Sequence, residues 1–89
     1  MNKMIKVIYI SAPWCGPCKM FKPIVTQFFE DHAGQIESIF ADAEDELAQQ
    51  LQVRAVPTIV FLKDDKEQTR LVGAQSRKKL ELTLDEVMI

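Results

Sequence analysis

Two cysteines, Cys15 and Cys18, are the whole thiol inventory of this 89-residue chain. With two residues between them, such a pair can act as a staple, as half of a metal site, or as an electron-carrying couple. As a staple it is poor, because closing so short a loop is worth roughly 2 kcal/mol and constrains nothing distant. As a metal site it is incomplete. Structural zinc takes four ligands, and the chain adds only one histidine, His32, which falls near a helix end where it reads as a surface or dipole-complementing residue. No metal is expected. A Cys-X-X-Cys pair between a buried strand and an amphipathic helix in a cytosolic chain reads instead as a redox dithiol. Cys15, just ahead of the first helical turn, meets unpaired N–H groups and the positive end of the helix dipole. Both favour thiolate and lower its pKa from about 8.5 toward about 7. Cys15 is therefore expected to attack. Cys18, one turn further in and shielded by the helix, is placed to attack a mixed disulfide formed at Cys15 and release the substrate reduced.

The elements that must hold this pair are readable around it. Residues 5–10 are apolar at nearly every position and β-branched, the pattern of a strand buried on both faces. From Cys18 onward, Phe21, Ile24, Val25, Phe28 and Phe29 recur at the spacing of one helix face, with Lys19, Lys22, Gln27 and Glu30 on the other. Pro23 lies inside this helix and is expected to kink it, and Gly34 to stop it. Residues 36–41 read as a second strand. Asp42 is expected to cap a short helix through about Leu51, with Glu44, Asp45 and Glu46 as helix-start acids. Thr58 to Leu62 reads as a buried strand, Asp64-Asp65-Lys66 as a turn, and Gln68 to Val72 as an edge strand completing a hairpin. Ser76 then caps a last helix with Leu80, Leu84 and Val87 on one stripe. The order β-α-β-α-β-β-α predicts an α/β fold, a four-stranded mixed sheet with helices on both faces.

Composition narrows the partners. The chain is 47% hydrophobic and 27% charged, an ordinary mixture for a globular domain that excludes disorder and low-complexity sequence. Its net charge is −2 with dispersed basic residues, which leaves no footprint for a nucleic-acid backbone. The unbroken apolar run Val7-Ile8-Tyr9-Ile10 is too short for a signal-peptide core or a membrane span. The expectation is one domain over residues 1–89, cytoplasmic, monomeric, and without nucleic-acid or membrane partners.

The segments Trp14-Cys15-Gly16-Pro17-Cys18-Lys19-Met20, Pro23, Val53-Arg54-Ala55-Val56-Pro57-Thr58 and Val72-Gly73-Ala74 together resemble the thioredoxin family. The likeness runs from about residue 5 to the C-terminus. It implies a minimal thioredoxin fold, without the extra strand and helix with which such proteins usually begin. It also implies that Cys15 is the nucleophile, Cys18 the resolving cysteine, and Pro57 a proline preceded by a cis bond and facing the dithiol. Val56 would then offer its backbone to an extended substrate. Trp14, Gly16, Pro17, Val56, Gly73 and Ala74 would form an apolar docking surface, although Gly73 reads equally as a turn glycine. Two departures from the pattern concern proton handling. Tyr9 stands where the family commonly carries a buried aspartate beneath the resolving sulfur, and Ser38 where the accompanying lysine is usual. Ser11 likewise replaces a tryptophan that often precedes the motif. Tyr9 is either a phenol that donates a hydrogen bond or orients water, or a core ring filling the space of the lost ion pair.

The resemblance implies a thiol-disulfide oxidoreductase that reduces protein disulfides with electrons from a thioredoxin reductase. No bound cofactor is implied beyond the redox-active Cys15–Cys18 disulfide. Pro17 between the cysteines brings neither charge nor N–H, which favours a reducing potential, nearer about −270 mV than about −120 mV. A glutaredoxin-like, glutathione-dependent enzyme is the alternative, though the usual tyrosine between the cysteines is absent. A second alternative is an accessory binding subunit in which the dithiol is incidental.

Overall fold

The continuous apolar run near the N-terminus becomes the middle of a sheet. In the computed structural model, which describes residues 5–89, β1 (Ile5–Ser11) is buried on both faces. Met1 to Met4 lie outside the described residues, so the domain expected over residues 1–89 is described from Ile5 onward. Then come α1 (Gly16–Asp31), β2 (Ile36–Asp42), α2 (Glu46–Gln50), β3 (Thr58–Lys63), β4 (Lys66–Val72) and α3 (Arg77–Met88). The strands lie in the order β2-β1-β3-β4. β1 pairs with β2 in parallel and with β3 antiparallel, and β3 pairs antiparallel with β4.

Alternation along β1 splits the core into two layers. Ile5, Val7 and Tyr9 face α1 and α3, where they meet Phe21, Val25, Phe28, Leu80, Leu84 and Val87. Ile8 and Ile10 face the other way, with Val60 and Leu62, onto Ala48, Leu47 and Leu51 of and around α2. Each fully buried Phe or Leu contributes roughly 1.5–3 kcal/mol of transfer free energy, so the larger layer dominates the fold. The stripe expected on α3 is the observed one, with Thr83 buried beside it and its hydroxyl donating to the Lys79 carbonyl at 2.7 Å.

Several local expectations are corrected. Ile24, expected on the buried face of α1, is 37% exposed while Phe21, Val25, Phe28 and Phe29 are buried. The helix continues through Pro23, as expected. It ends at Asp31, before the expected stop at Gly34: His32 is the C-cap, and its N–H and that of Ala33 donate to the Phe29 and Glu30 carbonyls. Asp42 does not cap α2. It is still paired in β2, opposite Ser11, and its Oδ1 accepts the Glu44 N–H at 2.9 Å, so the acids first make a turn and Asp45 becomes the N-cap. The β3–β4 turn holds both Asp64 and Asp65 at positive φ, 52° and 65°, which a two-residue hairpin of right-handed twist requires.

His32 also has a role that helix-end reasoning did not supply. Its Nε2 meets Glu81 Oε1 of α3 at 2.9 Å and its Nδ1 meets Gln35 Oε1 at 2.9 Å. Arg77 donates to Glu81 at 2.7 Å and to Asp31 at 2.8 Å, so charged groups bridge the C-terminal end of α1 to α3.

Candidate functional site

β1 delivers the chain to Ser11, and three residues, Ala12, Pro13 and Trp14, separate that strand from the first cysteine. Cys15 is the N-cap of α1, with φ −92° and ψ 110°. Its sulfur accepts the backbone N–H of Cys18 at 3.2 Å, the bond a Ser or Asp oxygen makes at an ordinary cap. Pro17 costs nothing here, because its missing N–H belongs to the first turn, where the donors lack helical partners anyway. The sequence thus places a sulfur where a helix end wants an anion. Cys15 and Cys18 are joined in a disulfide with their Cα atoms 5.3 Å apart.

Exposure does not separate the two cysteine residues in this disulfide form. In the disulfide Cys15 is 4% and Cys18 3% exposed. They pack against one another and Ala12, with Ala43 and Val56 against the cluster. What distinguishes Cys15 is its cap position. Cys18 also lines a cleft with Ser11, Ala12, Pro13, Lys19, Lys22 and Asp42. Sequence reasoning did not place Lys22 or Asp42 beside it.

Tyr9 is fully buried, and its hydroxyl donates to the Cys18 carbonyl at 3.1 Å, below the second cysteine but on its main chain rather than its sulfur. Burial pushes the phenol above its ordinary pKa, against a smaller opposing effect of the Ser11 hydroxyl. The ring stands edge-on to Phe21 and Phe40, at 5.8 and 5.9 Å. Phe40 lies directly across β2 from Tyr9, whereas Ser38 lies across from Val7 and is exposed. An aromatic cluster therefore occupies the space under Cys18, with the Lys22 ammonium 5.9 Å from the Phe40 ring centre.

Pro57, nearly forty residues from the cysteines in sequence, is buried, and the Val56–Pro57 bond is cis. Its carbonyl accepts the Gly73 N–H at 2.8 Å, tying the end of β4 to the start of β3. Gly73 has φ +92°, a conformation that L side chains rarely adopt. Among the described residues neither the N–H nor the C=O of Val56 has a backbone partner. Gly16, Pro17 and Ala74 line a common groove with Met20, Phe21, Ile24 and Gln75. Trp14, next to Cys15 in the chain, is 75% exposed. In the sequence Met20 belongs to the motif and Ile24 to the expected buried helix face, with neither assigned to a groove; the only signal was their i, i+3 and i+7 spacing from Pro17. Among the described residues no three His, Cys, Asp or Glu side chains are grouped to hold a metal ion.

Residues 1–86 match the thioredoxin family. The chain is similar to Thioredoxin-2 of Saccharomyces cerevisiae, 39% identical over 74 residues that are 82% of this chain and 70% of that protein. It is 36% identical to the chloroplastic Thioredoxin M4 of Arabidopsis thaliana over 88% of this chain, which spans only 42% of the plant protein. The thioredoxin of Fasciola hepatica, solved by X-ray methods, superposes with a TM-score of 0.84 at 33% identity, over 96% of this chain and 82% of that one. The chain belongs to the thioredoxin family. Its fold is the thioredoxin fold, and its Cys15–Cys18 pair is the dithiol-disulfide couple of a thiol-disulfide oxidoreductase. Among the described residues no helix is long and apolar enough to cross a membrane.

Proposed function

We propose that this thioredoxin-family chain reduces protein disulfides, with Cys15 attacking and Cys18 resolving, and is returned to the dithiol by a thioredoxin reductase. The observation that carries the reading is the Cys15 sulfur at the N-cap of α1, accepting the Cys18 N–H at 3.2 Å. Once reduced, that position stabilises a thiolate on Cys15 through the amide and the helix dipole together. The thiolate attacks one sulfur of a substrate disulfide. The Cys15–substrate bond forms, the substrate S–S bond breaks, and the other substrate cysteine leaves as thiolate and takes a proton from water. Cys18 then loses its proton to water in the adjoining cleft and attacks the Cys15 sulfur. The second substrate thiol departs and the Cys15–Cys18 disulfide closes, so two electrons have passed from protein to substrate.

Trp14, Gly16, Pro17, Val56, Pro57, Gly73 and Ala74 form the docking surface in this reading. The unpaired Val56 backbone groups support it, since they suit a short strand-like pairing with an extended segment beside the reactive sulfur. Tyr9 acts as a positioning residue that holds the Cys18 carbonyl. The protein works as a monomer in a reducing compartment, the cytoplasm, where a glutathione or thioredoxin system keeps such thiols reduced.

Insulin-disulfide reduction tests the reading, first with dithiothreitol, then with a flavin-dependent thioredoxin reductase and its nicotinamide cofactor, and last with glutathione. Turnover in the first two arms is expected. Turnover with dithiothreitol and glutathione but none with the reductase would assign the donor to glutathione instead. No turnover in any arm would remove the activity.

A further inference from the structure

Cys18 attacks as a thiolate, so closure of the disulfide depends on the charges around its sulfur once Cys15 is joined to substrate. The residue is 3% exposed, a setting that disfavours a bare anion. Tyr9 offers no acceptor, since its hydroxyl is engaged with the Cys18 carbonyl and burial keeps it protonated. The charges lie in the cleft that Cys18 lines, which carries two cations, Lys19 and Lys22, and one anion, Asp42. The other residues of that cleft are uncharged, as are Ala43 and Val56 packed against the cysteines.

Of the two cations, Lys22 is the one held in place. Cys18 and Lys22 lie at i and i+4 of α1, neighbours on one helix face with Cβ atoms roughly 5–6 Å apart. A long helical side chain leans toward the N-terminus over the preceding turn, which carries the Lys22 stem back toward Cys18. Its ammonium is 5.9 Å from the centre of the Phe40 ring, within the range of cation–π attraction. That ring is itself held edge-on, 5.9 Å from Tyr9 and 5.2 Å from Phe29. Among the described residues neither Lys22 nor Asp42 takes part in a salt bridge, so no carboxylate neutralises the ammonium.

We propose that Lys22, seated on Phe40, is the cation that stabilises the Cys18 thiolate in the resolving step. The inference rests on the reading in which Cys18 resolves, and it names the group that makes this sulfur reactive. The Cys18 proton passes to water and the thiolate attacks the Cys15 sulfur. The Cys15–Cys18 bond forms, the Cys15–substrate bond breaks, and its electron pair leaves on the substrate sulfur, which takes a proton from water. Lys22 gains and loses no proton. Asp42 opposes it, and Lys19, exposed and without an aromatic seat among the described residues, adds less.

The test loads Cys15 with a chromogenic aromatic thiol as a mixed disulfide and follows its release by stopped flow against pH in wild type and Lys22→Gln. At the spacing of i, i+4 neighbours a partly hydrated unit charge moves a thiol midpoint by roughly half a pH unit. Nucleophilicity falls with basicity, which offsets nearly half of the gain in thiolate. Lys22→Gln should therefore raise the midpoint by about half a unit, slow release about twofold at pH 7 and make it slightly faster on the high-pH plateau. Lys22→Arg, which keeps the charge and the ring contact, should stay at the wild-type midpoint. Phe40→Leu should move it part of the way up, and Asp42→Asn should move it down. Salt shortens the screening length from about 10 Å at 0.1 M to about 3 Å at 1 M and should shift wild type more than Lys22→Gln. An unmoved midpoint in Lys22→Gln, or equal shifts in the Gln and Arg variants, overturns the proposal. Slower release in Asp42→Asn would make that carboxylate the proton acceptor and overturns it as well. Cys18→Ser separates the two failures. Release from that variant at the wild-type rate refutes Cys18 as the resolving sulfur, whereas release that needs Cys18 but ignores Lys22 refutes only the role of the lysine.

Discussion

Replacing Tyr9 by Phe removes one buried oxygen and leaves the ring edge-on to Phe21 and Phe40. The lost group is a phenol donating to the Cys18 carbonyl at 3.1 Å. That carbonyl sits in the first turn of α1 and keeps its helical donor four residues on, the Lys22 N–H, so it is not orphaned. The cost is that of one net hydrogen bond at the low end, about 0.5–1 kcal/mol, or a Tm lower by about 2–8 °C in a domain of this size. The kinetic expectation is sharper. Burial raises the phenol above its ordinary pKa and its hydrogen bond runs to main chain, so at neutral pH it has no capacity to accept the Cys18 proton. The proposed route for that proton is the cleft lined by Ser11, Lys19, Lys22 and Asp42. The assay loads Cys15 with a chromogenic aromatic thiol as a mixed disulfide and follows its release by stopped flow at successive pH values. Release should accelerate by about tenfold per pH unit until the pH reaches the Cys18 pKa and then level off. Tyr9→Phe should superpose on wild type. A shift of the midpoint in the variant would show that the hydroxyl takes part in proton transfer, and a release rate independent of pH near neutrality would show that some other group already accepts the proton.

Other expectations follow from the scaffold. Ser76→Ala removes the side-chain cap that accepts the Lys79 N–H at 3.1 Å and should cost about 1 kcal/mol in urea unfolding, with activity retained. Burial opposes charge on His32, yet its hydrogen bonds to Gln35 and Glu81 and the Glu81 charge together raise its pKa above the ordinary value. A raised folded-state value means that its stabilisation is complete below about pH 6.5 and is lost as pH rises through the folded pKa. His32→Gln should flatten unfolding stability across that window, and an unchanged slope would remove His32 as its source. Asp65→Gly should stabilise by about 0.5 kcal/mol in thermal unfolding, since glycine holds φ near 65° without the Cβ penalty and the exposed Lys6–Asp65 pair is worth little.

All seven elements are legible in the chain because each carries its own period or cap. The run from Ile5 to Ile10 can only be a strand buried on both faces, and Leu80, Leu84 and Val87 can only be one stripe of a helix. Where sequence reading failed, tertiary context decided. Ile24 is as apolar as Val25, but it points to the groove past Pro17, and hydrophobicity alone does not say whether an apolar face meets core or substrate. Asp42 had the right chemistry for a cap, yet pairing with Ser11 kept it in β2 and moved the cap to Asp45. His32 and Glu81 stand 49 positions apart in the chain, so no local pattern announces their contact. The dithiol was readable from spacing and from its place between strand and helix. The packing of Val56 against it was suggested only by resemblance, since no periodicity links segments nearly forty residues apart. The near-equal burial of the two cysteine residues in the disulfide was not legible at all, because it depends on Ala43 and Val56 packing against them.

The division of labour between the cysteines can be tested by trapping. Cys18→Ser and Cys15→Ser variants are each incubated with insulin and the products mapped by mass spectrometry under non-reducing conditions. Cys18→Ser should accumulate a stable mixed disulfide between Cys15 and an insulin cysteine, since attack proceeds and resolution cannot, while Cys15→Ser should accumulate none. Equal trapping by both variants, or trapping on Cys18 alone, would contradict the assignment of Cys15 as the sulfur that attacks.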